Sequence, residues 1–398
     1  MINYIKSSTV IALILVFFIS GCDIINNKIE PNEEFTKIIS NANFSSDFYA
    51  EDIVQTSDNG FIILGSLHDE NNAYVWQTPY IIKLDENGIV LWETSVASPY
   101  VNPVGNIILS GGEYFFFTMH ESTLETHLLK INETTGSTEL EASFDNVTYP
   151  TAVSQNTDNT ILVQGYNNFA RQTILSKISE SFTVEWTQTY PLNEDAEEIL
   201  ISHISKTGKQ YPFFNGESDG YYFYNGLYNY TFSFVFINKS TGEMQGVMNG
   251  YRYSGAVSSA INLSGNNYAF SVFTEGENYL FPADQIDGGS ISSIEGISET
   301  PMPELQDDAK VAVNTMTLND IDYTIFAAGT KNNQIKLYFY NEGTSELALY
   351  KEIADKNPIE VTQIINTSEG GIAILGRTFV SGQFSRIYVA KISSENLE

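Results

Sequence analysis

Apolar residues in this chain fall in short runs bounded by turn-forming residues. The clearest set opens with Asp52-Ile53-Val54-Gln55-Thr56, a Ser57-Asp58-Asn59-Gly60 turn and the run Phe61-Ile62-Ile63-Leu64-Gly65. After a loop come Tyr80-Ile81-Ile82-Lys83-Leu84-Asp85, a turn at Glu86-Asn87-Gly88, and Ile89-Val90-Leu91-Trp92-Glu93-Thr94. Short runs rich in β-branched and aromatic residues, punctuated by Asn, Asp, Gly and Ser, predict four strands. The second and third are apolar throughout instead of alternating, as expected of strands covered on both faces. Beyond residue 21 no stretch sustains a helical apolar period, so no helix is expected.

The set repeats. Gln55, Gln155 and Gln363 head equivalent turns, followed by Gly65, Gly165 and Gly376. The third-strand lysines Lys83, Lys130 and Lys177 are 47 residues apart, and Lys391 follows four steps later. Weaker copies are seen at Tyr114–Phe117 with His127–Asn132, Tyr211–Asn215 with Phe234–Asn238, Tyr268–Val272 with Tyr279–Asp284, and Tyr323–Ala327 with Leu337–Asn341. A last clear copy pairs Ile372–Gly376 with Tyr388–Ile392. Four strands per roughly fifty residues, seven times over, predict an all-β fold: a seven-bladed β-propeller with four-stranded blades. The seventh unit ends after its third strand, because Ser393–Glu398 is too short for a fourth. Phe35–Ser40 has no blade of its own, so this N-terminal strand is expected to complete the last blade and cover an open edge.

The N-terminus adds a second element. A short start carrying Lys6 leads into the apolar run Val10–Phe18 and then Ile19-Ser20-Gly21-Cys22. The run is far shorter than the roughly 20 residues needed to span a bilayer, which suits a secretory signal. The ending resembles the lipobox of bacterial lipoproteins. That resemblance implies cleavage between Gly21 and Cys22 and lipid, palmitate included, on Cys22. The expected organisation is a signal peptide at 1–21, the lipidated cysteine and a polar tether at 22–34, and the propeller at 35–398. The expected location is the bacterial envelope, the outer membrane more than the inner, with the domain in the periplasm or at the cell surface. Cys22 is the single cysteine, so no disulfide is available and stability rests on packing and hydrogen bonds.

The repeat itself, Asn-Gly-Phe-Ile-Ile-Leu-Gly followed by Ile-Lys-Leu-Asp-Glu-Asn-Gly-Ile-Val-Leu-Trp, resembles the repeats of secreted and lipid-anchored bacterial propellers with a GGFIVAG…VVKLDSNGNVLW pattern. It also resembles the quinoprotein-type repeat, whose Asp-x-x-x-Gly-x-x-x-Trp turn ends each blade. Tryptophan holds that position in two units only, at Trp92 and Trp186. Propellers of these types include enzymes and scaffolds, so the resemblance implies fold without choosing a role.

The net charge of −30 excludes nucleic acid and anionic headgroups as natural partners. Gly216-Glu217-Ser218-Asp219-Gly220 matches G-x-S-x-G, but Tyr221-Tyr222-Phe223-Tyr224 follows where a nucleophile elbow needs a helix. The histidines His68, His120, His127 and His203 lack H-E-x-x-H spacing, and no calcium or phosphate loop is present. No metal, cofactor or catalytic residue is therefore expected. The aromatic load is 24 Tyr, 25 Phe and 3 Trp, and two clusters fall near connections: Tyr74 and Trp76, and Tyr221, Tyr222 and Tyr224. Those five are the candidate ligand surface for a sugar or peptide. The resulting expectation is a monomeric, lipid-anchored, non-enzymatic binding or scaffold module that meets an envelope protein or glycan. The alternative is an enzyme or cofactor binder using the central channel.

Overall fold

Strand β1 (Phe35–Ile39) comes first in the chain. Blade one follows as β2 (Phe48–Gln55), β3 (Phe61–Leu67), β4 (Thr78–Leu84) and β5 (Val90–Ser95). Blade two is β6 (Tyr100–Ser110), β7 (Glu113–His120), β8 (Glu125–Ile131) and β9 (Thr138–Thr148). Blade three is β10 (Ala152–Gln155), β11 (Ile161–Asn167), β12 (Gln172–Ile178) and β13 (Val184–Pro191). After helix α1 (Glu197–Ile204), blade four runs β14 (Phe214–Glu217), β15 (Tyr222–Tyr228), β16 (Thr231–Ile237) and β17 (Met244–Asn249). Blade five is β18 (Gly255–Ser264), β19 (Asn267–Thr274) and β20 (Glu277–Gln285), and β21 (Ile291–Ser293) follows. Blade six is β22 (Val311–Leu318), β23 (Ile321–Gly329), β24 (Gln334–Asn341) and β25 (Leu347–Ala354). Blade seven is β26 (Ile359–Asn366), β27 (Ile372–Thr378) and β28 (Arg386–Ile392), with β1 as its fourth strand. This computed structural model describes residues 34–40, 45–68, 76–251, 254–295, 300–354, 356–380 and 383–397; the expected signal sequence and Cys22 lie outside them.

The seven-bladed propeller expected from the repeat is what the chain builds. Its closure is as expected too: β1 pairs antiparallel with β28, from Phe35 opposite Lys391 to Ile39 opposite Ile387. Strands β3 and β4 are buried along their whole length, whereas β5 is half-exposed. Some of the repeated residues join neighbouring blades, and others tie strands within one blade. Gln55 reaches from blade one to Glu369 of blade seven at 3.0 Å, and Gln155 from blade three to the Leu109 carbonyl of blade two at 2.9 Å. Lys83 pairs with Asp58 at 2.8 Å and with Glu133 of the next blade at 3.1 Å. Lys177 pairs with Glu185 at 3.1 Å and Lys391 with Glu369 at 2.8 Å.

The two blade-ending tryptophans close seams. Trp92 Nε1 donates to the Glu133 carbonyl at 2.9 Å, and its ring lies where a side chain on Gly136 would stand, 2.6 Å from an added Cβ. Gly136 also has φ +72°, a conformation glycine adopts freely. Trp186 covers Gly242 of blade four in the same way. Phe35, on the closing strand, does so against Gly88 of blade one.

Two elements depart from the repeat. Blade five keeps three strands, and β21 instead pairs in parallel with β17 of blade four. That leaves β20 as an edge, which explains Pro282: a residue without an N–H is tolerated on an edge strand, here where the ladder to β19 shifts register. Helix α1 contradicts the expectation of no helix. It is eight residues long and buries only Leu200 and Ile204, too few apolar positions to print a period on the sequence.

Candidate functional site: the central channel

Propeller topology points the first strand of every blade at the axis, so the innermost strands supply the channel wall. Glu51 and Asp52 of β2, Thr151 just before β10, Asn215 of β14, Ser258 of β18 and Glu360 of β26 face a cavity of about 560 Å³. One end is crossed by the chain between blades three and four. From α1 this strap reaches blade one, where Gln77 Nε2 donates to the Ser205 carbonyl at 2.8 Å and Lys206 pairs with Glu51 at 3.2 Å. Its return leg brings Tyr211 and Phe213 to the cavity wall. Rings pack along it, His203 edge-to-face with Phe213 at 4.9 Å and Tyr211 tilted against Phe232 at 5.3 Å.

Four of the five carboxylates that line the channel are engaged, Asp307 among them through Lys331 at 2.9 Å, and the fifth, Asp308, is exposed. Glu51 also accepts from Ser66 Oγ at 3.0 Å. Glu360 accepts from Arg377 at 2.7 Å, and the same guanidinium lies 4.5 Å over the Tyr49 ring and 4.6 Å over Phe379. Burial works against the Glu360 carboxylate, but the charges of Arg377 and Lys310 hold its pKa below the usual value. Asp52 is fully buried, and burial pushes its carboxyl up to about 7 despite hydrogen bonds from the Ile107 and Ile53 amides and the Gln363 side chain. It clasps blade one to blades two and seven.

The cations are less well matched. Lys206, Lys209, Lys310 and Arg377 all line the cavity. Lys310 precedes β22 and forms no ion pair among the described residues. Water reaches it, yet protein surrounds it, and this desolvation lowers its pKa. Glu360 and Glu51 oppose that shift, while Lys206 and Arg377 add to it. His203 accepts the Tyr211 amide at Nδ1, 3.0 Å away, and burial holds it neutral.

The expected aromatic surface is not assembled. Tyr222 and Tyr224 are 1% and 0% exposed, because the run after Gly220 opens β15, a second strand covered on both faces. Lys177 and Lys239 sit 5.6 and 5.4 Å over the Tyr222 ring, and Tyr224 packs on Tyr190 at 5.0 Å. Tyr221 is half-buried against Phe236. Trp76 is buried beneath the strap with Leu200 and Tyr211. Tyr74, Gly21 and Cys22 lie outside the described residues. Ser218 sits buried in the turn between β14 and β15, bonded to Tyr221 rather than to a base. His120 and His127 lie tilted against each other in blade two, 5.3 Å apart. Among the described residues no three His, Cys, Asp or Glu side chains converge to hold a metal ion.

Sequence reasoning missed Lys206, Lys310 and Arg377. They come from the strap, blade six and blade seven, and only ring closure brings them together.

Neither the known protein families nor the curated proteins contain a match to this sequence. Solved structures do resemble it in shape. The S. cerevisiae core factor aligns over 90% of this chain and 61% of its own, at 9% identity and a TM-score of 0.50. The AfRom2 CNH domain aligns over 90% and 99%, at 8% identity and a TM-score of 0.48. The β-propeller domain of the Trilobed protease from Pyrococcus furiosus aligns over 88% and 96%, at 10% identity and a TM-score of 0.45. At such identities the likeness concerns the fold alone.

Proposed function

We propose that the chain is a lipid-anchored binding protein of the bacterial envelope, and that its propeller receives a ligand in the strap-covered channel without transforming it. The anchor reading rests on Ile19-Ser20-Gly21-Cys22. The binding reading rests on one observation: a cavity of about 560 Å³, within the range of small-molecule sites, is walled by aromatic rings and cations while four of its five acids, Glu51, Asp52, Asp307 and Glu360, are already engaged. Glu51 and Glu360 are in ion pairs, and Asp52 is held by backbone amides. General acid–base catalysis needs a carboxyl or imidazole free to meet the substrate. These groups are instead structural joints, and the His203 nitrogen Nδ1 is taken by the Tyr211 amide.

Equilibrium dialysis of the full chain in detergent against envelope extract, with mass spectrometry of what is retained, tests the binding reading. Thr362→Trp, which fills the channel from β26, is expected to abolish retention while leaving the circular dichroism unchanged. Equal retention by the variant sinks the reading. Fractionation of Cys22→Ser tests the anchor separately: release from the membrane pellet is expected, and continued sedimentation with membranes refutes lipidation.

A further inference from the structure

Cations are scarce in this protein, with 19 Lys and Arg against 49 Asp and Glu, yet four of them line one cavity. Two are neutralised in place, Lys206 by Glu51 and Arg377 by Glu360. Lys209 lies 5.8 Å over the Tyr211 ring and 5.5 Å over Phe273. Lys310 forms no ion pair among the described residues. Of the two acids in its own loop, Asp307 is engaged by Lys331 at 2.9 Å, and Asp308 forms no ion pair with it. The carboxylates that act on Lys310 across the channel are Glu360 and Glu51, each already shared with another cation. Lys310 is exposed to the channel, and an ammonium group on that wall beside two further positive charges is repelled by both. A negatively charged guest relieves that arrangement.

We propose that the channel takes a small organic anion, whose oxyanion head sits at Lys310 between Lys206 and Arg377 and whose body lies against Tyr49 and Tyr211. This rests on the reading of the channel as a ligand site. The acidic exterior sharpens it: a surface of this charge repels anions everywhere except where the local field reverses. Cation and ring groups share the same wall, since Arg377 and Lys206 both lie over Tyr49, at 4.5 and 5.9 Å. A guest carrying both a charge and an apolar or ring body therefore matches it better than a bare ion does. Carboxylate and phosphate heads share this chemistry.

Calorimetric titration of the full chain in non-ionic detergent with benzoate, phenyl phosphate and the neutral benzamide tests the inference. At least one anion is expected to bind about tenfold or more tighter than benzamide. The stronger of the two identifies the head group. Lys310→Gln is expected to erase that preference, and Lys310→Arg to restore it to within about threefold, since the charge and its place are kept. Benzamide binding as tightly as both anions overturns the inference, as does an anion affinity untouched by Lys310→Gln, or no anion binding at all. In those cases the channel reading stands or falls on retention of an extract ligand and its loss in Thr362→Trp, so the two failures are distinguishable.

Discussion

Lys391 and Glu369 meet at 2.8 Å inside blade seven, where the lysine side chain is 3% exposed and the carboxylate 15%. Burial alone raises the Glu369 pKa, but hydrogen bonds from Lys391 and Gln55 and the ammonium charge draw it down to about 2. A carboxyl whose folded pKa is depressed stabilises the fold above its unfolded pKa, and that contribution disappears as pH falls from about 4.5 towards 2. Glu369→Gln is expected to cost about 2 kcal/mol at pH 7 and almost nothing at about pH 2, read from urea unfolding at both pH values. Gly136→Ala is expected to cost about 2–4 kcal/mol, because it forces a left-handed residue and drives a methyl group into the Trp92 ring. A red shift of tryptophan emission in folded protein reports the displaced ring. Lysine, glutamine and tryptophan at these positions were legible in the sequence because each recurs at the blade period. The channel residues were not, because Lys206, Lys310 and Arg377 obey no period and meet only in the ring. Tyr222 and Tyr224 were misread for a related reason: four aromatics after a glycine turn look the same whether the strand they open is covered or free.

Strand β1 is five residues long, and its removal uncovers the β28 edge and takes Phe35 from the seam at Gly88. Deleting residues 35–40 is expected to lower the melting temperature by at least about 5 °C, measured by calorimetry. An unchanged melting temperature refutes closure by this strand. Its place was legible because the seventh unit visibly lacks a fourth strand while Phe35–Ser40 has no blade. The strap was not legible. Its eight-residue helix hides two apolar residues, and the rest of its path is fixed by contacts with distant blades, such as Gln77 with Ser205. Blade five lost its outer strand without a sequence signal other than Pro282, whose missing N–H is compatible only with an edge or a bulge.

At the scale of the whole molecule, a net charge of −30 works against compactness, because like charges crowd as the chain folds. Raising sodium chloride from about 10 mM to about 500 mM is expected to raise the melting temperature at pH 7.5 by several degrees, as the screening length drops well below the ring's dimensions. Near pH 4.5, where carboxylates begin to take up protons, the same step is expected to have less than half that effect. A flat response to salt at pH 7.5 counts against long-range repulsion as a limit on stability. The pairing of Phe35 with Lys391 has a further consequence in time. These residues are 356 positions apart, so at about 5–20 residues per second the first strand is made some 20–70 s before the strand that receives it. For that interval it is a lone segment with nothing to join. Its brevity, and Thr36 and Lys37 at its centre, keep such a waiting segment from zipping onto neighbouring chains. The last blade is thus a timer, in which the oldest part of the chain is held in reserve until the newest arrives.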